Sequence, residues 1–272
     1  MEEYRVDFDF ENGEPVEHSA AVNMALDEHI LGRAADEGVP YLRVYGFEEP
    51  AFIPSRRTST DDISGALGNG YDFTRRNTNG STIPCLDNGV AYSVAYPTED
   101  FPDRVFREKV APSLVEALES AGIDSEELSV GEKHDAIRYG GRSTLGEAAP
   151  GKTIAGSSLW RKGGSVLSHG VIAVKPWDSE LLAENMELRP GEESFVEELP
   201  SVQAVGEYDE EKFAYALIDG FTGGEYMAVD LGREDVEDLL EEKYSNSEWT
   251  LKDGLQEGRG HCFVEEEDGR FY

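Results

Sequence analysis

The chain has 272 residues and sets 57 Asp and Glu against 24 Lys and Arg, a formal charge of −33. That length suits one large mixed α/β unit with a sizeable core, and the charge excludes a nucleic-acid partner, because a phosphate-tracking surface needs a basic patch. The acid is spread along the chain rather than gathered in one tail, as on a solvated surface adapted to a salt-rich cytoplasm, where the Debye length falls to roughly 3 Å at 1 M. The N-terminus MEEYRVDFDFENGE lacks a basic region and an apolar run, and no stretch approaches a membrane span, so a cytoplasmic protein with no membrane partner is expected. Cys85 and Cys262 are the only cysteines. They form no zinc spacing or disulfide framework, which predicts free thiols and no bound metal.

Along the chain, an acidic opening strand precedes Ser19, which is placed to cap a helix over about 20–35 that Gly38 and Pro40 end. YLRVYGF (41–47) and AFI (51–53) read as strands, followed by the arginine-bearing loop PSRRTSTDD. Gly65, Gly68 and Gly70 argue against a long element there. GVAYSVAYP alternates like a strand covered on both faces, and the spacing of Val105, Val110, Leu114 and Leu118 predicts a helix over about 103–120 with a kink or break at Pro112. Residues 128–175 alternate apolar runs with glycine turns, as in an antiparallel meander. YDEEKFAYALIDGF and GREDVEDLLEEKYSN read as two acidic amphipathic helices.

Three constellations suggest chemistry. Arg75 and Arg76 precede Thr78, Asn79, Gly80 and Ser81, a small-residue loop that lets backbone approach an anionic ligand, or else a solvated turn. Ser168-His169-Gly170 interrupts an apolar strand, where a histidine is more often a hydrogen-bonded core residue than a catalyst. In GKTIAGSSLW, Gly151, Ala155, Gly156, Ser157 and Ser158 leave room beside the backbone, with a tight strand crossing as the plainer reading. No nucleophile elbow, phosphate loop, HExxH or dinucleotide fingerprint occurs.

Taken in order, NMALDEHIL, LRVY, RRNT before a glycine-bearing loop, GVAYSV, Asp135, IAGSS and SHG resemble the biotin/lipoyl protein ligase family, in its lipoate-protein ligase and octanoyltransferase branch. The resemblance implies an α+β fold with a large mixed sheet and a smaller antiparallel sheet flanked by helices. It places the catalytic domain over 1–250, with 251–272 an acidic tail too short for an accessory domain. The implied activity is transfer of a lipoyl or octanoyl group to a lysine of a lipoyl carrier domain, such as that of a 2-oxoacid dehydrogenase complex or a glycine-cleavage H protein. ATP and Mg2+ would be needed if it is a ligase, and a separate accessory subunit could complete it. The alternative is a non-catalytic lipoyl-binding or assembly subunit.

Carried over residue by residue, the resemblance puts Arg75, Arg76, Thr78, Gly80, Ser81, Asp135, Gly156, Ser157, His169 and Gly170 at the acyl or adenylate site, with Lys152 and Thr153 as the catalytic positions. The family's R-R-x-[S/T]-G-G-G keeps one glycine here, its His-Asp is replaced by Cys85 and Leu86, and its lysine slot falls on Thr153, one residue after Lys152. A slip of one residue sends a strand side chain to the other face, unless a bulge near Pro150 and Gly151 re-aims Lys152. The cysteine nucleophile of the octanoyltransferases has no counterpart between residues 86 and 261. Cys85 reads as a buried small residue.

Overall fold

The computed structural model describes residues 3–131, 136–140, 152–186 and 200–251. Asp135, Gly151 and Cys262 lie outside these, as do Pro150 and nearly all of the acidic tail. The main sheet is built from β1 (Tyr4–Asp7), β2 (Val16–His18), β3 (Tyr41–Phe47), β7 (Gly89–Pro97), β8 (Leu128–Val130), β9 (Ala136–Tyr139), β10 (Lys152–Lys162), β11 (Ser165–Ala173) and β12 (Tyr226–Val229). Its order is β12-β1-β3-β7-β11-β10-β9-β8, with β2 alongside β3. The β8 to β11 end is the antiparallel meander read from the sequence, whereas β1 pairs in parallel with β12 and β3.

The sheet is covered on both faces, as the buried alternation of β7 requires. One face packs on α1 (Ala20–Glu37), capped by Ser19 and closed by Gly38 in the left-handed conformation, φ 69°. The other face packs on the helix Glu210–Thr222, whose N-cap is Asp209, and on an interrupted helix over 102–120. In the latter, Pro102–Val105 and Ala111–Ser120 are α-helical, and Phe106–Val110 between them is π-helical. Pro112 has no N–H and its ring crowds the carbonyl four residues back, so the ladder widens by one residue just before it instead of breaking.

β4 (Ala51–Ile53), β5 (Asp72–Phe73) and β6 (Ile83–Cys85) form the smaller sheet. It is mixed, not antiparallel: β6 opposes β4, but β5 runs parallel to it, because residues 54–71 return the chain by a crossover. That crossover carries α2 (Ser64–Gly68), where a Cβ on Gly65 would stand 2.2 Å from the Glu184 carbonyl oxygen. Near the C-terminus, the expected single helix is a succession of 3₁₀ turn Arg233–Asp235, α-turn Glu237–Leu239 and π-turn Leu240–Tyr244, followed by Ser247–Thr250. Leu240 and Tyr244 are buried against the α1 side of the core.

Candidate functional site

The site grows from one row of the main sheet. Arg43 on β3, Ser93 on β7, His169 on β11 and Ser158 on β10 stand in register, so all four side chains leave the same face, toward α1. Asn23 and Asp27, one helical turn apart on α1, meet that row. Arg43, fully buried, donates to Asp7, Asp27 and the Asn23 side-chain oxygen at 2.9–3.0 Å. His169 Nδ1 donates to Asp27 Oδ2 at 2.7 Å, and its Nε2 lies 2.8 Å from Thr78 Oγ1. Burial alone would raise the Asp27 carboxyl, but the hydrogen bond from His169 and the charges of His169 and Arg43 outweigh it and hold the group below the usual carboxylate range.

Thr78 belongs to the loop that follows β5. Arg76, itself buried, donates to Thr78 Oγ1 at 2.8 Å and to the carbonyls of Ile53, Asn79 and Ser81 at 2.6–2.9 Å. Arg75 donates to the carbonyls of Ser55 and Thr58 at 2.6 Å and of Trp249 and Thr250 at 3.1 and 3.3 Å. Both guanidinium groups are thus engaged by the protein's own backbone and shape the loop. Burial lowers Arg76 to about 9, which leaves it charged at neutral pH.

The C-terminal turns form the second wall of this loop. Trp249 Nε1 donates to the Arg75 carbonyl at 2.8 Å, and Thr74 Oγ1 to the Tyr244 carbonyl at 2.8 Å. Glu28 on α1 accepts from Lys162, Lys243, Tyr244 and Asn77 at 2.7–2.9 Å. Burial again works against this carboxylate, but the two lysines and Tyr244 bring it down to about 2.

At the tip, Gly80 has φ 107°, a conformation closed to most side chains, and Ser81 beside it is exposed. Ser158 Oγ reaches across from β10 to the Asn79 carbonyl at 3.1 Å and so joins the tip to the sheet. Two residues back on the same face, a Cβ placed on Gly156 would meet nothing within 4 Å. An open strip therefore runs along β10 beside the loop tip. Ser157 and Gly170 lie in the row behind it: Ser157 bonds Tyr92, and a Cβ on Gly170 would stand 1.9 Å from the Gly156 carbonyl oxygen, so this pair is the tight strand crossing.

The approach to Gly156 contains a bulge. Gly156 pairs with Ala136 and Ala155 with Ile137, but Thr153 pairs with Arg138 and Lys152 with Tyr139, leaving Ile154 as the extra residue. Arg138 shares a face with Ala136, so Thr153 shares the face of Gly156 and Ser158. Lys152 is exposed and shares the opposite face with Ile137 and Tyr139. Among the described residues the one cysteine is Cys85, buried, with its thiol pushed well up by burial.

Asp27, Asn23, Arg43 and the 240–250 segment were not singled out as site residues from the sequence. The signal for the first two was available in NMALDEHIL, where polar residues four apart sit inside an otherwise apolar stripe.

This arrangement, with a buried His–Asp pair, an arginine-shaped loop and an open strip over a sheet glycine, coincides with a family match. The chain belongs to the lipoyl protein ligase A/B catalytic domain family, whose model matches residues 19–187. The octanoyltransferase LipM of Kyrpidia tusciae is 29% identical over 266 residues, covering 86% of this chain and 95% of that protein. Among solved structures, a bi-partite lipoate protein ligase from Thermoplasma acidophilum, analysed with its E2 lipoyl domain, matches with a TM-score of 0.75 at 20% identity, over 95% of this chain and 99% of that one. A lipoate-protein ligase A bound with ATP matches with a TM-score of 0.75 at 21% identity, over 92% and 98%. These structures share the α+β fold described above.

Proposed function

We propose that this protein is an enzyme that transfers a lipoyl or octanoyl group to a lysine of a lipoyl carrier domain. The family match and the octanoyltransferase relative support the reaction class, and the open strip over Gly156 beside the Gly80 tip is the observation that carries it. A linear acyl chain needs a narrow channel with close backbone approach, and here a glycine on a strand faces a glycine-bearing loop whose position is fixed from beneath by Arg76, Thr78 and His169.

Chemically, the amine of the target lysine attacks the acyl carbonyl of an activated donor. The new C–N bond forms as the bond to the leaving group breaks, and the amine proton passes to solvent. Transfer is direct in this reading, because Cys85, the one cysteine among the described residues, is buried and its thiol resists ionisation. Thr153 and Ser158 supply hydroxyls on the strip face at the carbonyl end, whereas Lys152 takes no direct part. ATP, with Mg2+, is the co-substrate if the donor is an adenylate. The acceptor is the lipoyl domain of a 2-oxoacid dehydrogenase complex or an H protein, and the site includes its own C-terminal wall, so an accessory subunit is dispensable for acyl binding. The buried free thiol of Cys85 suits a cytoplasmic location; among the described residues no helix is long and apolar enough to cross a membrane.

The test is to incubate the protein in high salt with an apo lipoyl domain and either lipoate or octanoate with ATP and magnesium, or an octanoyl carrier protein. The carrier domain is then weighed by mass spectrometry. A mass gain of one acyl group is expected, and no gain with any donor overturns the reading.

A further inference from the structure

Arg56 and Arg57 lie on the loop between β4 and α2, and they are unusual in a chain of net charge −33. The other arginines of the site either meet carboxylates, as Arg43 does, or hold backbone carbonyls, as Arg75 and Arg76 do. Arg56 has neither arrangement. Its Nε donates to Asn79 Oδ1 at 3.1 Å, its backbone N–H donates to the Thr78 carbonyl, and its two terminal nitrogens have no partner among the described residues. Arg57, beside it and exposed, uses only its backbone N–H, toward Ser55 Oγ. The pair therefore stands beside the Thr78–Ser81 loop, touching it through Arg56, with at least four N–H donors that meet no acceptor among the described residues.

Asn79 connects this pair to the cleft. It occupies a position where the resemblance expects glycine, and its side chain is what orients Arg56. Its carbonyl accepts from Ser158 on β10, so Arg56 and the open strip flank the same residue. Leaving Arg56 half-desolvated beside a second cation without an anion is unfavourable: burial first, and then the charge of Arg57, lower its guanidinium from its ordinary value. An anionic ligand would offset both effects, and planar guanidinium forks match phosphate oxygens.

We propose that Arg56, held by Asn79, and Arg57 form a recognition site for the phosphate ester of the activated acyl donor, beside the strip over Gly156. The inference rests on the acyl-transfer reading and identifies the donor's chemistry within it. Two donors carry such an ester: an acyl-adenylate, whose phosphate is bonded to the acyl carbonyl, and an acyl-phosphopantetheine, whose phosphate lies at the far end of the arm from the thioester.

The experiment is isothermal titration calorimetry on the full chain in molar KCl with phosphopantetheine against pantetheine, and AMP against adenosine. At least one phosphate ester should bind ten-fold or more tightly than its dephosphorylated counterpart. The R56Q/R57Q double variant should abolish that preference, whereas R104Q, which removes two remote surface ion pairs, should keep it. Preference for phosphopantetheine identifies a carrier-bound donor, and preference for AMP an adenylate. R57Q alone removes a side chain without a partner among the described residues, so it keeps the fold and should weaken the preferred ester several-fold even if the double variant fails to fold. A wild-type chain indifferent to the phosphate, or R57Q with unaltered binding, overturns the proposal. Binding is read without transfer, so a chain that binds the ester but never modifies a carrier domain defeats the proposed function and leaves this site standing. Transfer with unchanged KM in the double variant does the reverse.

Discussion

His169 Nδ1 lies 2.7 Å from Asp27 Oδ2, and the opposite nitrogen of the same ring lies 2.8 Å from Thr78 Oγ1. One imidazole thus ties α1 to the loop that borders the cleft, inside a core where both side chains are almost fully buried. H169Q keeps polarity but loses the bridge. A buried hydrogen bond to a charged group contributes about 2 kcal/mol, so the melting temperature should fall by roughly 4–8 °C. Transfer should fall further than stability because Thr78 loses its anchor. A thermal melt beside a kcat/KM measurement checks both.

Acid should weaken the fold through two neighbouring carboxylates. Asp27 and Glu28 both titrate below their ordinary values in the folded chain, Glu28 at about 2. The folded state therefore binds fewer protons than the unfolded chain in acid. Their stabilisation is complete above about pH 5, where even the unfolded carboxylates are ionised, and is lost as pH falls toward the folded values. Chemical denaturation at fixed high salt from pH 6 to pH 2.5 should show this decline. E28Q should flatten it, because an amide in place of the carboxylate would still bond Tyr244 and Lys243 without titrating.

Gly156 offers the cleanest separation of fold from function. A Cβ there meets nothing within 4 Å and the backbone is not in the left-handed region, so G156A should shift the melting temperature by no more than a degree or two. G156L fills the strip and should reduce transfer by about a hundredfold or more with the fold intact, as circular dichroism would show. G170A is the contrasting variant: its Cβ falls 1.9 Å from a carbonyl oxygen, and it should lose stability first.

Because Ile154 is the bulged residue, Thr153 rather than Lys152 faces the strip. K152A should leave kcat within about twofold of the parent, while T153V, which removes the hydroxyl at nearly constant volume, should lower it by tenfold or more. Steady-state kinetics with the carrier domain distinguish the two.

Much of the fold was legible because it rests on local chemistry: Ser19 and Gly38 bound α1, and alternation marks β3, β7 and β11. The parallel course of β5 was not legible, since strand direction in the small sheet is set by a crossover with no periodic signature. Pro112 indicated an interruption, but only the packed helix shows that the ladder widens into a π-turn before it. In the site, the RRNT loop and His169 were readable as motifs. Their partners were not, because Asp27, Arg43 and Trp249 come from distant segments that meet only once α1 and the C-terminal turns pack against the sheet and the loop. The face of Lys152 depends on a single extra residue, which alternation cannot reveal.

The most direct measurement is the mass of an apo lipoyl domain after incubation with the parent chain, G156L and K152A, each supplied with every activated donor. Acyl transfer at the strip over Gly156 predicts one added lipoyl or octanoyl group with the parent and with K152A, and none with a folded G156L. An unmodified carrier domain with the parent, or full modification by G156L, would contradict it.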